Sequence, residues 1–340
     1  MRKAPEFWWD NKPSALSLLL YPLSQIYGRI AGRRMLAPPV GISKIPVLCI
    51  GNFVVGGTGK TPFAISLYEL LKKEGFSPIF LLRGYGGTQK GPVLVSRSNH
   101  TAADVGDEAM LLAEVGPTVV SSDRVEGAVT ARGLDADIII MDDGFQNASL
   151  QKDLSIVLVD ADRGIGNGQC LPGGPLRAPM DIQMVKTDLL MVVGKGEGAN
   201  TVVRRAARRG LKPFHSQLTP TIDRKLSDVP FLAFAGIGQP DKFFRTAEEL
   251  GLTVRQTQAF PDHHVFSDKE IQELFERARN ESLQFLTTAK DLARLKGMKS
   301  ERARQLAGQC RVLDVRMEIG EVESLIAAIQ GQIKQRAFSN

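Results

Sequence analysis

The sequence is poor in the residues that build disulfide frameworks and aromatic binding grooves. Among its 340 residues are three cysteines, four histidines, two tryptophans and four tyrosines. Cys49, Cys170 and Cys310 are scattered and odd in number, which excludes a disulfide framework or a zinc-type spacing and fits a reducing compartment. Nucleic-acid grooves interleave aromatic with basic residues, and so few tyrosines and tryptophans argue against one. We therefore expect no nucleic-acid partner.

What the chain has in quantity is ordinary for a globular enzyme. Charged residues make up 24% and hydrophobic residues 43% of the sequence, and the length suggests about two domains, each with a sizeable core. The formal net charge is +6. A positive charge by itself suits nucleic acid, an anionic membrane or an acidic substrate, and the scarcity of tyrosine and tryptophan argues against the first of these.

A glycine-rich loop near residue 56 predicts a phosphate site. It follows the apolar run 45–50 and precedes a helical pattern over 62–74, which is the strand, loop and helix order of a P-loop. Glycines let successive N–H groups face one anion, Lys60 can reach the terminal phosphates, and the Thr61 hydroxyl can bind Mg²⁺. The strict pattern has glycine where this chain has Val54. The predicted ATP-binding residues are Gly56, Gly57, Thr58, Gly59, Lys60, Thr61 and Pro62.

A β-branched run within residues 136–141 ends in the adjacent acids Asp142 and Asp143. This pattern predicts a buried parallel strand that delivers carboxylates at its carboxyl end, where open α/β sheets bind ligands. Acids at a strand end are often only helix caps. About eighty residues after a P-loop, they read as the Mg²⁺-binding half of a nucleotide site. The predicted metal ligands are Thr61, Asp142, Asp143 and Gln146.

The N-terminal region, residues 1–36, combines basic residues with both tryptophans. Six apolar residues recur at helical spacing within 15–30, while Ser17, Ser24 and Gln25 interrupt any run of the about 20 apolar residues that spans a bilayer. The pattern predicts an amphipathic helix that lies on an anionic membrane surface, or one whose apolar face packs on the protein's own core. The basic residues are Arg2, Lys3, Lys12, Arg29, Arg33 and Arg34, and the apolar ones are Leu16, Leu19, Leu20, Leu23, Tyr27 and Ile30.

Strand and helix patterns alternate along the rest of the chain. This alternation predicts an α/β protein: a P-loop NTPase-like domain with a mostly parallel sheet over 37–225, and a second, smaller α/β domain over 226–340 that closes a cleft. The predicted strands are 47–50, 78–82, 118–121, 137–141, 155–160, 189–193, 230–236, 252–259, 283–288 and 311–318. The predicted helices are 62–74, 106–115, 124–133, 240–250, 268–279 and 321–335.

Eight short motifs in order give the chain a specific resemblance. They run from the glycine loop to the second unit, and together they resemble the tetraacyldisaccharide 4′-kinase (lipid A 4′-kinase) family from the N-terminal helix to about residue 320. The motifs are Gly-Gly-Thr-Gly-Lys-Thr-Pro62, Arg83-Gly-Tyr-Gly86, Val105-Gly-Asp-Glu108, Asp123-Arg124, Asp142-Asp-Gly-Phe-Gln146, Leu171-Pro-Gly-Gly-Pro-Leu-Arg177, Phe260-Pro-Asp-His-His264 and Thr287-Thr-Ala-Lys-Asp291.

The resemblance implies transfer of the ATP γ-phosphoryl group to the 4′-hydroxyl of an acylated glucosamine disaccharide 1-phosphate, giving lipid IVA, at the cytoplasmic face of the bacterial inner membrane. It implies that Asp107 takes the hydroxyl proton with help from His263, and that Lys60 acts on the transferred phosphate. From the residues alone, Asp107 reads more simply as the N-cap of a helix. The candidate substrate-binding residues are Arg83, Tyr85, Arg124 and Arg177.

Two positions depart from the family pattern, and one alternative function stays open. Asn147 stands where the family has histidine, and Ala178 where it has glutamate, so any role of those side chains is absent or moved here. The alternative is a membrane-associated partitioning or targeting ATPase without a small-molecule acceptor. Such ATPases carry a second lysine at the start of the glycine loop, where this chain has Val55.

Overall fold

The structure is a computed structural model that describes residues 4–10, 12–221 and 229–339. Arg2, Lys3 and the predicted domain boundary at 225/226 lie outside the described residues. After a short 3₁₀ helix, Glu6–Trp8, the described helices are α1 (Ala15–Leu36), α2 (Lys60–Lys73), α3 (Ala102–Val105), α4 (Asp107–Val115), α5 (Arg124–Arg132), α6 (Met180–Val185), α7 (Asn200–Ala207), α8 (Pro240–Glu249), α9 (Asp268–Asn280), α10 (Ala289–Lys296), α11 (Glu301–Gln309) and α12 (Val322–Ser339).

The strands form two sheets, one in each of two lobes. The described strands are β1 (Val47–Asn52), β2 (Pro78–Leu82), β3 (Val93–Leu94), β4 (Thr118–Val120), β5 (Ile138–Asp142), β6 (Leu154–Asp160), β7 (Leu189–Val193), β8 (Pro213–Thr221), β9 (Phe231–Ala235), β10 (Val254–Ala259), β11 (Gln284–Thr287), β12 (Cys310–Val312) and β13 (Asp314–Ile319). The larger sheet has the order β13-β8-β7-β6-β1-β5-β2-β4-β3, and the smaller has the order β10-β9-β11-β12.

The α/β architecture predicted from the sequence is confirmed. In the large sheet every neighbouring pair is parallel except β3 with β4 and β13 with β8. Its central strands β1, β5 and β6 are buried along their whole length, because helices cover both faces of a parallel sheet. The two faces form separate cores, one around Phe53 and Phe145 and the other around Phe63 and Phe80.

Near the C-terminus the structure corrects one predicted strand. The single strand expected over 311–318 is two strands: β12 joins the small sheet beside β11, and β13 pairs antiparallel with β8 of the large sheet. The side chain of Leu313, between them, is buried in the small lobe. The following α12 buries Leu325 and Ile329 in the core of the large lobe. The domain division stays a prediction, and these contacts favour a return of the chain to the large sheet after Leu313.

Helix α1 packs on the large lobe through small residues. Ser17 Oγ donates to the Gly173 carbonyl at 2.7 Å, and Ser24 Oγ accepts from the Gly173 N–H at 2.9 Å. A Cβ at Gly32 would lie 2.5 Å from Ile182 Cδ1 of α6, so a larger residue there would require that side chain to move. The leucines instead face outward: the exposed fractions are 75% for Leu19 and 55% for Leu23. Among the described residues, no helix combines the length and apolar character that crossing a bilayer requires.

Candidate active site

The glycine loop joins β1 to α2, as the sequence predicts. Gly56 and Gly59 have φ angles of +110° and +81°, which side chains other than glycine rarely adopt. A Cβ at Gly56 or Gly57 would meet no heavy atom within 4 Å. The buried Thr58 Oγ1 has no hydrogen-bond partner among the described residues. The loop therefore presents a cradle, with the N-terminus of α2 behind it, in which a phosphate group can accept backbone N–H bonds.

Val54, where the strict P-loop pattern has glycine, needs no glycine here. It forms an isolated antiparallel bridge with Leu176 and is not among the described residues with positive φ. Arg177 Nε donates to the Val54 carbonyl at 3.0 Å, and the Val55 N–H donates to the Pro175 carbonyl at 2.9 Å. The loop of residues 171–177 thus holds the start of the phosphate loop, residues 54–55, in place.

The two acids at the end of β5 lie at the same edge of the sheet as the glycine loop that follows β1. This is because β5 pairs in parallel with β1, with Ile50 opposite Asp142. Both carboxylate oxygens of Asp142 are buried and lack a hydrogen-bond partner among the described residues. Asp143, with φ of +49°, turns toward Lys60 Nζ at 3.5 Å and Arg177 Nη1 at 2.9 Å. Since Mg²⁺ prefers oxygen ligands, the unpartnered Asp142 oxygens fit this cation.

The environments of these neighbouring acids move their pKa values in opposite directions. Burial raises the pKa of Asp142 to about 7, and the Glu108 carboxylate adds to the effect. Burial alone would also raise the pKa of Asp143, but Lys60 and Arg177 lower it to about 2. Asp143 is therefore committed to the two cations, and the geometry favours Asp142 as the acid that meets a divalent cation.

Arg83 and Arg124, two arginines predicted to bind substrate, are close enough for the Arg83 charge to act on Arg124, as do the charges of Asp142 and Asp143. Arg124 is buried at the start of α5, donates to the Ser121 carbonyl, and leaves Nε without a partner among the described residues. Burial lowers the pKa of Arg124 to about 10, and the nearby Arg83 charge adds to the effect. Arg83 itself is exposed after β2. Two mutually repelling guanidinium groups suit an anionic group of a ligand.

The small lobe brings His263 to this edge of the large sheet. Its Nδ1 lies 3.1 Å from Asp107 Oδ2, which joins two residues 156 positions apart in the chain. His263 adopts φ of +57°, a rare conformation that here occurs at a contact between lobes. The ring of Tyr85 lies 5.2 Å from the imidazole, edge to face. Gly106, not Asp107, is the N-cap of α4, so the simpler N-cap interpretation of Asp107 is wrong.

The pair is electrostatically polarised. Burial alone would raise the pKa of Asp107, but the His263 hydrogen bond and the Arg294 charge lower it well below its ordinary value. The hydrogen bond to Asp107 raises the pKa of His263, against the opposing effect of burial. His263 Nε2 is 3.8 Å from Asp262 Oδ1, beyond hydrogen-bond reach. At neutral pH Asp107 is therefore a firmly held carboxylate, and the imidazole is the more basic partner.

Sequence reasoning assigned no role to a second contact between the lobes. Lys290 Nζ of α10 lies 2.6 Å from Glu108 Oε1, and the same oxygen is 3.5 Å from Thr61 Oγ1. Burial lowers the pKa of Lys290, but Glu108 and Asp107 outweigh it and raise the value. Both residues lie in motifs that carry the family resemblance, and that was the one feature of the sequence that could have indicated a role for them. Their contact links the small lobe to the first turn of α2.

Two predicted site residues, Gln146 and Arg177, form hydrogen bonds within the protein. Gln146 Nε2 donates to the Asn52 carbonyl at 2.8 Å and to Gln183 Oε1 at 2.9 Å. Arg177 holds Asp143 and Val54, as described above. The structure shows both side chains hydrogen-bonded to other residues of the site. The role of Gln146 as a metal ligand and that of Arg177 as a substrate contact stay predictions. Asn147 Oδ1 accepts from the Ser149 N–H and hydroxyl, and Ala178 is buried in the core.

The comparisons with known proteins give one family description. The family model described as Tetraacyldisaccharide-1-P 4′-kinase matches residues 16–334. A relative from Allorhizobium ampelinum named Tetraacyldisaccharide 4′-kinase is 47% identical, over 92% of this chain and 92% of its own length. A protein of the same name from Brucella canis is 46% identical, over 95% of this chain and 94% of its own.

A solved structure shares the fold. The crystal structure of LpxK from Aquifex aeolicus in complex with ATP has 26% sequence identity and a TM-score of 0.69, and the match covers 94% of this chain and 99% of that one. With a family model that spans most of the sequence and close relatives aligned nearly end to end, this chain belongs to the tetraacyldisaccharide 4′-kinase family.

Proposed function

We propose that this protein transfers the γ-phosphoryl group of ATP, with Mg²⁺, to the 4′-hydroxyl of a tetraacylated glucosamine disaccharide 1-phosphate. Family membership supports the substrate and product class. The observation that carries the proposal is the Asp107–His263 contact, which assembles a candidate base from two lobes at the edge where the phosphate loop opens. A partitioning ATPase needs no acceptor base of this kind and is not favoured.

Each part of the site then has a distinct task. The amides of the loop at 56–61 cradle the phosphates, and Lys60 neutralises charge on the transferred group. Thr61 and Asp142 would hold Mg²⁺, which when bound neutralises phosphate charge. Asp143 keeps Lys60 and Arg177 in place through its ion pairs. Arg83 and Arg124 supply positive charge for an anionic group of the acceptor.

The Asp107–His263 pair would receive the proton of the acceptor hydroxyl. Asp107 fixes the imidazole through Nδ1, which leaves Nε2 as the nitrogen that can face a hydroxyl. Because phosphoryl transfer passes through a loose transition state, orienting the hydroxyl matters more than strong basicity. The pair is suited to that task, since it is held from two sides.

The test of the proposal is a transfer assay. Purified protein is incubated with Mg-ATP and the tetraacyldisaccharide 1-phosphate in detergent, and the lipid is analysed by mass spectrometry. We expect a bisphosphorylated disaccharide, and none when ATP or Mg²⁺ is omitted. ATP hydrolysis that proceeds without any phosphorylated lipid would instead support the partitioning ATPase.

We further propose that α1 places the enzyme on an anionic membrane surface, consistent with the cytoplasmic face of the inner membrane. Its Ser and Gly side faces the protein, and its leucines and isoleucines face out, the reverse of a helix that packs by its apolar face. Arg33 and Arg34 in its last turn are exposed. Outward apolar residues beside arginines suit the boundary between lipid headgroups and acyl chains.

Replacing outward apolar residues of α1 should release the protein from vesicles. We expect the triple variant Leu19→Gln, Leu23→Gln, Ile26→Gln to lose most flotation with anionic vesicles. It removes exposed apolar area and leaves the hydrogen bonds of Ser17 and Ser24 to the loop of residues 171–177 in place. Leu250→Gln, an exposed leucine of the small lobe, is the control and should float like wild type. Equal flotation of wild type and the triple variant would place the membrane contact elsewhere.

A further inference from the structure

Arg294, on α10 of the small lobe, is nearly buried at 8% exposure. Its Nη1 donates to Asp291 Oδ1 at 2.7 Å and to the Gly236 carbonyl at 2.9 Å. Asp291 is itself fully buried and accepts from the Gly236 N–H at 3.0 Å and from the Thr288 hydroxyl at 2.6 Å. The guanidinium is therefore fixed in its own lobe before any contact with the other.

The Nε–H of the guanidinium makes the contact with the large lobe, while the buried Nη2 has no hydrogen-bond partner among the described residues. Arg294 Nε donates to Asp107 Oδ2 at 2.8 Å, and the same oxygen accepts from His263 Nδ1 at 3.1 Å. The other Asp107 oxygen accepts from the Glu108 N–H at 2.9 Å. Two donors of the small lobe thus set the rotation of one carboxylate of the large lobe. A planar, rigid donor restricts that rotation more than a single flexible ammonium would.

We propose that Arg294 is a positioning residue: it fixes the Asp107 carboxylate in the orientation that accepts the His263 N–H, so that the base is assembled only when the lobes meet. The inference rests on the proposed function, since it concerns the same pair. Arg294 acts through Asp107 and is not itself placed against the reacting atoms.

Arg294 is not needed to hold the two lobes together, because three other contacts also join them. Lys290 pairs with Glu108 at 2.6 Å, and Lys242 of α8 lies 3.5 Å from Asp160 at the end of β6. Gln239 Nε2 also donates to the Gly57 carbonyl at 3.3 Å. These contacts remain when Arg294 is replaced. Docking of the small lobe over the phosphate loop, and hence ATP binding, should persist.

The test measures kcat and the ATP KM of the full-length protein in the transfer assay. Arg294→Met, which keeps the apolar stem, should lower kcat about 10²-fold, the cost of a misplaced catalytic group, with the ATP KM within about twofold of wild type. Arg294→Lys keeps the charge without the fork and should regain part of the rate. In an Asp107→Ala background, Arg294→Met should cause little further loss, since its partner is gone.

Arg277 offers a matched control. It joins α9 to Gln256 and Gln258 of β10 within the small lobe, so Arg277→Met should leave both constants near wild type. Wild-type kcat in Arg294→Lys and Arg294→Met, or an equal further loss in the Asp107→Ala background, would overturn the inference. If Arg294→Met fails to fold, the Arg294→Lys variant serves as the test. A wild-type kcat in that variant refutes the positioning role of Arg294, and a reduced kcat with an unchanged ATP KM supports it. An inactive wild type would refute the proposed function instead.

Discussion

Lys60→Ala should lower kcat for phosphoryl transfer by about 10³-fold or more, because the loop lysine neutralises charge on the transferring phosphate in a site where little else can replace it. The side chain is 9% exposed and lies 3.5 Å from Asp143, which keeps Arg177 as a partner at 2.9 Å when Lys60 is removed. The fold should therefore survive. The measurements are kcat by lipid phosphorylation and the melting temperature.

Lys73→Ala is the matched control for this substitution. Lys73 lies in the last turn of the same helix and is exposed, so its loss tests a change of charge on α2 away from the phosphate loop. We expect wild-type kcat. A Lys60→Ala variant that melts like wild type and retains most of its kcat would remove Lys60 from the site.

The nucleotide half of the site could be predicted because its signals are local. A glycine loop between an apolar strand and a helix indicates a phosphate cradle wherever it occurs, and a β-branched run that ends in two acids indicates a buried strand. The structure places Lys60 3.5 Å from Asp143 at one edge of the sheet. Central parallel strands such as β5 and β6 could also be predicted from the sequence, since strands that are buried on both faces carry continuous apolar runs.

Contacts between the lobes could not be predicted from local pattern. Glu108 and Lys290 are 182 positions apart, and Asp107 and Arg294 are 187 apart. Nothing in either segment alone tells which acid meets which cation. Without the family resemblance, Asp107 would have remained a helix cap. The same limit explains why one strand was predicted over 311–318 where the structure has two. The partner of β13 is β8, which lies almost a hundred residues earlier in the chain.

Some missed elements did carry a readable signal. Helix α10 begins after Thr288, whose side chain accepts from the Asp291 N–H, and α11 begins after Ser300, which accepts from the Ala303 N–H. Both are ordinary N-caps that the sequence shows. Helix α1 was predicted as amphipathic, yet hydropathy alone cannot tell that its serines and glycines face the protein. The orientation of α1 depends on its contacts with the loop of residues 171–177 and with α6.

Asp107 and His263 should behave as one catalytic unit when they are mutated singly and together. General-base assistance is worth about 10²–10⁴-fold, so Asp107→Ala and His263→Ala should each lose kcat on that scale, with the ATP KM little changed. The double variant should fall only slightly further, because groups that act through one hydrogen bond are not additive. Melting temperatures show whether each variant is folded.

His264→Ala is the control that separates this role from the loss of any histidine in the loop. His264 Nε2 lies 3.0 Å from Glu270, which closes the capping box at the start of α9, so its replacement should affect local stability and leave kcat near wild type. Multiplicative losses in the double variant, or a near-normal rate for Asp107→Ala, would contradict the paired role. Asp142 and Asp143 would then be the next candidates for the base.

The pH dependence of kcat distinguishes which member of the pair takes the proton. The Asp107 hydrogen bond raises the pKa of His263 above its ordinary 6.5; Asp107 and Asp262 favour the charged imidazole, while burial and Lys290 oppose it. Below that raised pKa the imidazole is already protonated and cannot accept, so wild-type kcat should fall as the pH drops through a value above 6.5. Because Asp107 titrates well below its ordinary range, an acid limb in the acidic region would instead assign the proton to the carboxylate.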